Sequence, residues 1–227
     1  MRPKFIVVSG LIGVGKTHFA RQLAALLGYR AMFEPVEDNP YLGKFYEDPK
    51  RWAYAMQEFL KSRRFAAYQF AYWGLRCNEF PGVIMDRSIH EDTVFAQINQ
   101  EQGNIHELDW QTYLSGFQDM QSFMPEPDLY IFLDAPPEVC RDRQAARDRP
   151  EERGMDGKDD GIPIEYMQRL YDGYRDWIKA ISPRVQVVRL DWSTFKSVES
   201  AWAEAREQWE KRGRFSRRLV FPQEEEA

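Results

Sequence analysis

Residues 10–17 read Gly-Leu-Ile-Gly-Val-Gly-Lys-Thr and satisfy the pattern G-x-x-x-x-G-K-[ST]. An apolar run stands before them and a helical pattern follows, which is the context a phosphate-binding loop requires. Gly10, Gly13 and Gly15 let the backbone wrap closely, so that N–H groups along Leu11, Ile12 and Val14 point at phosphate oxygens. The N-terminus of the following helix adds positive potential. Lys16 then reaches the β- and γ-phosphates, and Thr17 offers a hydroxyl to Mg²⁺.

Other residues could act around such a loop. Residues 82–88, Gly-Val-Ile-Met-Asp-Arg-Ser, form an apolar strand ending in Asp86 and Arg87. A carboxylate at a strand end beside bound phosphate can hold Mg²⁺ directly or through water. Ser88 and Glu91 have capping-box spacing and start a helix, which leaves Arg87 facing the crevice above the sheet. Read alone, Asp86–Arg87 is a local ion pair. Arg141, Arg143, Arg147, Arg149 and Arg153 run into a Gly/Pro-rich charged segment, residues 149–163. Guanidiniums on such a segment suit a lid that closes over a transferring phosphoryl group. With Asp142 and Asp148 among them, they equally read as a solvated basic helix. Gln57 and Arg64, seven apart on one helix face, lie about 10 Å from one another. With Trp52, Tyr54, Phe59 and Phe65 nearby they suit a flat, hydrogen-bonding ligand, although periodicity alone favours an amphipathic helix. Glu34 ends a short apolar run downstream of the loop. A carboxylate repels phosphate, so by itself Glu34 reads as a solvated loop acid.

The elements that must position these groups follow from patterning. Apolar runs predict strands over 5–9, 83–86, 129–134 and 185–190, with a shorter one over 30–34. Helical patterns cover 16–27, about 49–75, 90–100, 107–123, 137–146, 163–181 and 197–212. Strands alternating with helices argue for an α/β fold with a central parallel sheet of about five strands and helices on both faces. One domain over residues 1–212, with a tail over 213–227, suffices for 227 residues. The net charge of −5 argues against a dedicated nucleic-acid binder. Cys77 and Cys140 show no zinc spacing and suggest a reducing compartment. The basic, then apolar start imitates a signal peptide but is interrupted at Lys16, and no run is long enough to span a membrane, so a cytoplasmic location is expected.

Taken in order, the pieces resemble the deoxyribonucleoside kinase family, over most of the chain. Glu-Pro-Val at 34–36, the 46–57 run Tyr-Glu-Asp-Pro-Lys-Arg-Trp-Ala-Tyr-Ala-Met-Gln, Asp-Arg-Ser at 86–88, the arginine segment 143–152 and Gly-Ile-Pro-Ile-Glu-Tyr-Met at 161–167 are each similar to a family motif. Residues 34–53 resemble especially the bacterial deoxyadenosine and deoxyguanosine kinases. The resemblance implies a P-loop kinase with an arginine-rich lid over about 143–160. It implies that Glu34 is the general base on the sugar 5′-hydroxyl and that Lys16 and Arg87 are catalytic. It further implies that Asp86 and Thr17 organise Mg²⁺ and that Arg143, Arg147 and Arg149 clamp phosphate of ATP. By the same resemblance Tyr46 and Glu152 hold the 3′-hydroxyl, Gln57 hydrogen-bonds the base, and Arg64 with Asp92 reads it.

Departures accompany the match. Asp86 replaces a glutamate, residues 153–160 lengthen the lid, and Thr-Phe-Lys at 194–196 only loosely resembles the family's adenine-holding loop. The resemblance implies a homodimer built through helices and a purine deoxynucleoside as acceptor, with deoxycytidine possible and thymidine poor. A nucleoside monophosphate kinase, such as a thymidylate kinase, and a catalytically silent structural subunit are the competing readings.

Overall fold

The computed structural model describes residues 4–33, 39–147 and 162–211, with the backbone alone at Arg147. Residues 148–160 of the expected lid, Glu34, the tail, and the side chains of Arg147, Arg149 and Glu152 lie outside the described residues.

Five strands form one sheet in the order β2-β3-β1-β4-β5, every neighbouring pair parallel. They are β1 (Phe5–Gly10), β2 (Arg30–Met32), β3 (Val83–Asp86), β4 (Leu129–Asp134) and β5 (Val187–Asp191). Central β1 is buried along its whole length, as a strand covered on both faces must be, and this is why its sequence is a continuous apolar run. Its neighbours set the site: Val8 pairs with Asp86 on one side and Gly10 with Leu133 on the other. The chain leaves β1 for the β2 edge, whereas β4 and β5 lie on the opposite side. Such a switch in strand order opens a crevice at the carboxyl ends of the strands.

Eight helices among the described residues surround the sheet: α1 (Lys16–Leu27), α2 (Leu42–Glu47), α3 (Pro49–Arg76), α4 (Asp92–Glu101), α5 (Glu107–Gln121), α6 (Pro137–Arg147), α7 (Ile164–Ile181) and α8 (Val198–Lys211). In α1 the buried Phe19, Ala20, Leu23 and Ala24 make one apolar stripe, and the helix stops at Gly28 in the left-handed conformation. The long α3 starts where Asp48 accepts the Arg51 N–H at 3.2 Å, with Pro49 at the first helical position.

The differences from the expected elements have local causes. Helix α2 is not expected because it buries none of its residues and so carries no apolar period. The helix expected over 90–100 opens as a 3-10 turn, Ile89–Glu91, before α4. Strand β5 starts at Val187 rather than 185, because the Val185 N–H donates to the Ile181 carbonyl and closes the end of α7.

Candidate active site

The phosphate loop is fixed by backbone conformation. Gly10, Gly13 and Gly15 all have positive φ, at 146°, 81° and 104°. A Cβ on Gly13 would collide with the Cys140 carbonyl oxygen of α6, and one on Gly10 would stand 2.7 Å from the Leu133 carbonyl oxygen. Side chains are therefore excluded at both positions by neighbouring backbone as well as by φ. Lys16 is buried and arches back over the loop, its Nζ donating to the carbonyls of Gly10 (3.0 Å) and Leu11 (2.7 Å). Thr17 Oγ1, in the first turn of α1, donates to Asp86 Oδ2 at the end of β3 at 2.5 Å. Asp86 is buried, and its Oδ1 has no hydrogen-bond partner among the described residues. A hydroxyl beside an orphaned carboxylate oxygen, at the foot of a phosphate loop, is a donor set that fits a hard divalent cation sharing its ligands with phosphate.

Arg87 follows at φ 69°, an unusual backbone for a non-glycine residue, and its N–H continues the ladder to the Val8 carbonyl at 2.9 Å. Its Nη1 donates to Glu91 Oε2 (3.2 Å) and to the Tyr174 hydroxyl, and its guanidinium lies 4.9 Å from the centre of the Phe95 ring. The Tyr174 hydroxyl donates to the same Glu91 oxygen at 2.6 Å, and the Ser88 N–H donates to Glu91 Oε1 at 3.0 Å. Glu91, read from the sequence as a helix cap, thus also holds Arg87. Burial pushes its carboxyl above the ordinary range, opposed chiefly by the Arg87 charge.

A second group lies on α3. Arg64 forms an ion pair with Asp92 of α4, and both side chains are buried. Gln57 is buried on the same helix, and its Oε1 has no partner among the described residues. Tyr41 packs on Trp52 and Phe59, with ring centroids 6.0 and 5.9 Å apart. Tyr46 stands near Tyr166 of α7, whose phenol is pushed upward first by burial and then by Tyr46, against the pull of Arg87. Tyr166 lies in the 161–167 motif without an assigned role, and Tyr174 belongs to no motif.

Arg143 on α6 is held by backbone carbonyls and an aromatic ring. It donates to the carbonyls of Val14 (3.4 Å), Trp192 (2.9 Å) and Ser193 (3.0 Å) and lies 4.0 Å from the centre of the Phe195 ring. It therefore ties the phosphate loop to the segment after β5. Beside that segment a cavity of about 350 Å³ is lined by His18, Gln22, Trp192, Phe195, Lys196 and Ser197, among others. The buried Trp192 Nε1 has no partner among the described residues. His18, Gln22 and Trp192 carry no motif, and only the loose match at 194–196 pointed here.

The geometry brings together Lys16, Thr17 and Asp86, with Arg87 next in the chain, and separately Arg64 and Asp92, with Gln57 buried two turns away on α3. Comparison with known proteins places the whole chain. The family model described as deoxynucleoside kinase matches residues 6–212. The chain is 39% identical over 194 residues to a deoxyadenosine kinase of Dictyostelium discoideum, covering 86% of this chain and 74% of the relative. It is 34% identical over 196 residues to a deoxyguanosine kinase of the same organism, covering 86% of this chain and 66% of the relative. Among solved structures, the deoxyadenosine kinase of M. mycoides with bound dCTP superposes with a TM-score of 0.76 at 23% identity, covering 89% of this chain and 98% of that one. The fold is that of a P-loop kinase, a monophosphate kinase is not favoured, and the chain belongs to the deoxynucleoside kinase family, phosphotransferases that phosphorylate a deoxynucleoside.

Proposed function

We propose that the protein transfers the γ-phosphate of ATP to the 5′-hydroxyl of a purine deoxynucleoside, deoxyadenosine or deoxyguanosine. The observation that carries this reading is the buried Arg64–Asp92 pair, with buried Gln57 two turns along the same face of α3, a set of donors and acceptors for a base bearing amino groups and ring nitrogens. Glu34 acts as general base on the attacking hydroxyl, and Tyr46 with Glu152 orients the sugar. Lys16 and Arg87 stabilise charge on the transferring group. Arg87 is suited to this because Glu91, Tyr174 and Phe95 fix its guanidinium. Arg143, Arg147 and Arg149 serve the donor; Arg143 does so by stacking Phe195 at the mouth of the donor-side cavity. Thr17 and Asp86 would hold Mg²⁺, which when bound neutralises phosphate charge.

The same reading makes residues 1–212 one domain and the protein a cytoplasmic homodimer. Phe70 (51% exposed), Trp73 (58%) and Phe123 (69%) support pairing through helices. The Gln69 side chain, next to Phe70 in the chain, donates to the Phe123 carbonyl, so this part of α3 meets the turn after α5. Among the described residues no helix is long and apolar enough to cross a membrane. Incubation with ATP, Mg²⁺ and each deoxynucleoside or deoxynucleoside monophosphate tests the proposal. Conversion of purine deoxynucleosides to 5′-monophosphates, identified by ³¹P NMR, is the expected result; consumption of monophosphates alone contradicts it.

A further inference from the structure

Lys61 is a buried cation that the phosphotransfer chemistry leaves unused. It is 2% exposed and lies between Gln57 and Arg64 on one face of α3, at spacings of four and three residues. Side chains three apart on a helix are neighbours, so Lys61 and Arg64 place two positive charges side by side in the interior. Asp92, fully buried, pairs with Arg64. An ammonium on a flexible four-carbon stem one turn away is a natural competitor for that carboxylate.

In the structure Lys61 is held elsewhere. Lys61 Nζ donates to Glu58 Oε1 at 2.7 Å and to the Tyr113 carbonyl of α5 at 3.2 Å, and it stands 4.3 Å from the centre of the Tyr113 ring. Tyr113 is completely buried and stacks with Trp110, centroids 5.7 Å apart and planes 12° from parallel. Gly116 leaves the room: a Cβ there would stand 3.2 Å from Lys61 Nζ. An ion pair, a carbonyl and an aromatic face together make a cage for one ammonium.

We propose that Tyr113 is a positioning residue for base selection: by caging Lys61 it reserves Asp92 for Arg64. The inference rests on the base-reading role proposed above for the Arg64–Asp92 pair. The Tyr113 hydroxyl has no partner among the described residues, so the cage needs the ring and not the oxygen.

The test uses Tyr113→Phe, Tyr113→Leu, Lys61→Met and the double variant Tyr113→Leu/Lys61→Met. One readout is the ratio of kcat/KM for deoxyadenosine and thymidine. The other is an Arg64/Asp92 double-mutant cycle on unfolding stability, which reports the pairing whatever base the enzyme prefers. Tyr113→Leu should lower the ratio and the coupling constant of the cycle, each by about tenfold. Adding Lys61→Met should restore both, since the competitor is gone; a purely structural role for Tyr113 predicts a double variant no better than the single one. Tyr113→Phe should leave both unchanged. Unchanged coupling in Tyr113→Leu, or no rescue by Lys61→Met, overturns the proposal. If Tyr113→Leu does not fold, Lys61→Met alone decides: the coupling must hold or rise, and a fall means Lys61 supports the pair. If the cycle behaves as expected while the ratio does not move, the cage stands and the base-reading role fails.

Discussion

The two ends of the site are built by different means. At the phosphate end, positive-φ glycines and loop carbonyls fix the geometry, and the side chains come from the first turn of α1 and the end of β3. At the proposed base end, Arg64 and Lys61 of α3 meet Asp92 and Tyr113 from two other helices, and geometry depends on which buried charge pairs with which. Backbone geometry serves a ligand common to many enzymes, whereas a side-chain network can be retuned one residue at a time. The phosphate end should therefore lose turnover when altered, and the base end should lose selectivity.

Glu34→Gln keeps shape and hydrogen bonding but removes the proposed base, and should lower kcat by roughly 10²–10⁴-fold with little change in nucleoside affinity. Steady-state kinetics with a binding titration check this; lost affinity with kcat preserved would make Glu34 a binding residue. Lys16→Ala removes an ammonium from the transition-state charge and should reduce turnover about a hundredfold or more, without altering the ranking of nucleosides. A changed ranking in that variant breaks the division between the two ends.

Glu91→Gln probes the join between them. It keeps an acceptor for Tyr174 but loses the charge holding Arg87. We expect kcat to fall about tenfold, the scale of one weakened charge-assisted contact, with selectivity unchanged. The smallest effect on catalysis belongs to His90, buried edge-on to Tyr68 of α3 and Phe117 of α5. Burial, then the Arg184 charge, lowers its pKa to about 4. The unfolded chain therefore binds this proton more readily, and the neutral-histidine contribution is complete above about pH 6.5. It is lost as pH falls from there toward about 4, by roughly 3 kcal/mol in all. Denaturant midpoints across this range should fall in the wild type and flatten in His90→Phe.

Strands and the phosphate loop were legible in the sequence because their signals are local. A buried parallel strand needs an uninterrupted apolar run, and the loop needs its glycines at fixed spacing. Gln57, Arg64 and Asp92 were legible through family resemblance, periodicity alone giving only an amphipathic helix. Glu91 shows the limit of spacing: its cap is three residues away, whereas Tyr174 is 83 residues distant in the chain. Arg143 likewise meets carbonyls 49 and 129 residues away, which no local pattern encodes. Helix α2 was missed because it buries nothing.

The most direct test of the account is the kcat/KM ranking of the four natural deoxynucleosides, for the unmodified protein and for Arg64→Met/Asp92→Ala. Thymine lacks the exocyclic amine, and its methyl group would meet the buried ion pair, leaving polar groups unmatched at about 1–3 kcal/mol each. Deoxyadenosine or deoxyguanosine should rank first, with thymidine roughly a hundredfold or more behind, and the double variant should raise thymidine relative to the purines. Efficient thymidine phosphorylation by the unmodified protein would contradict the assignment of this pair to base reading.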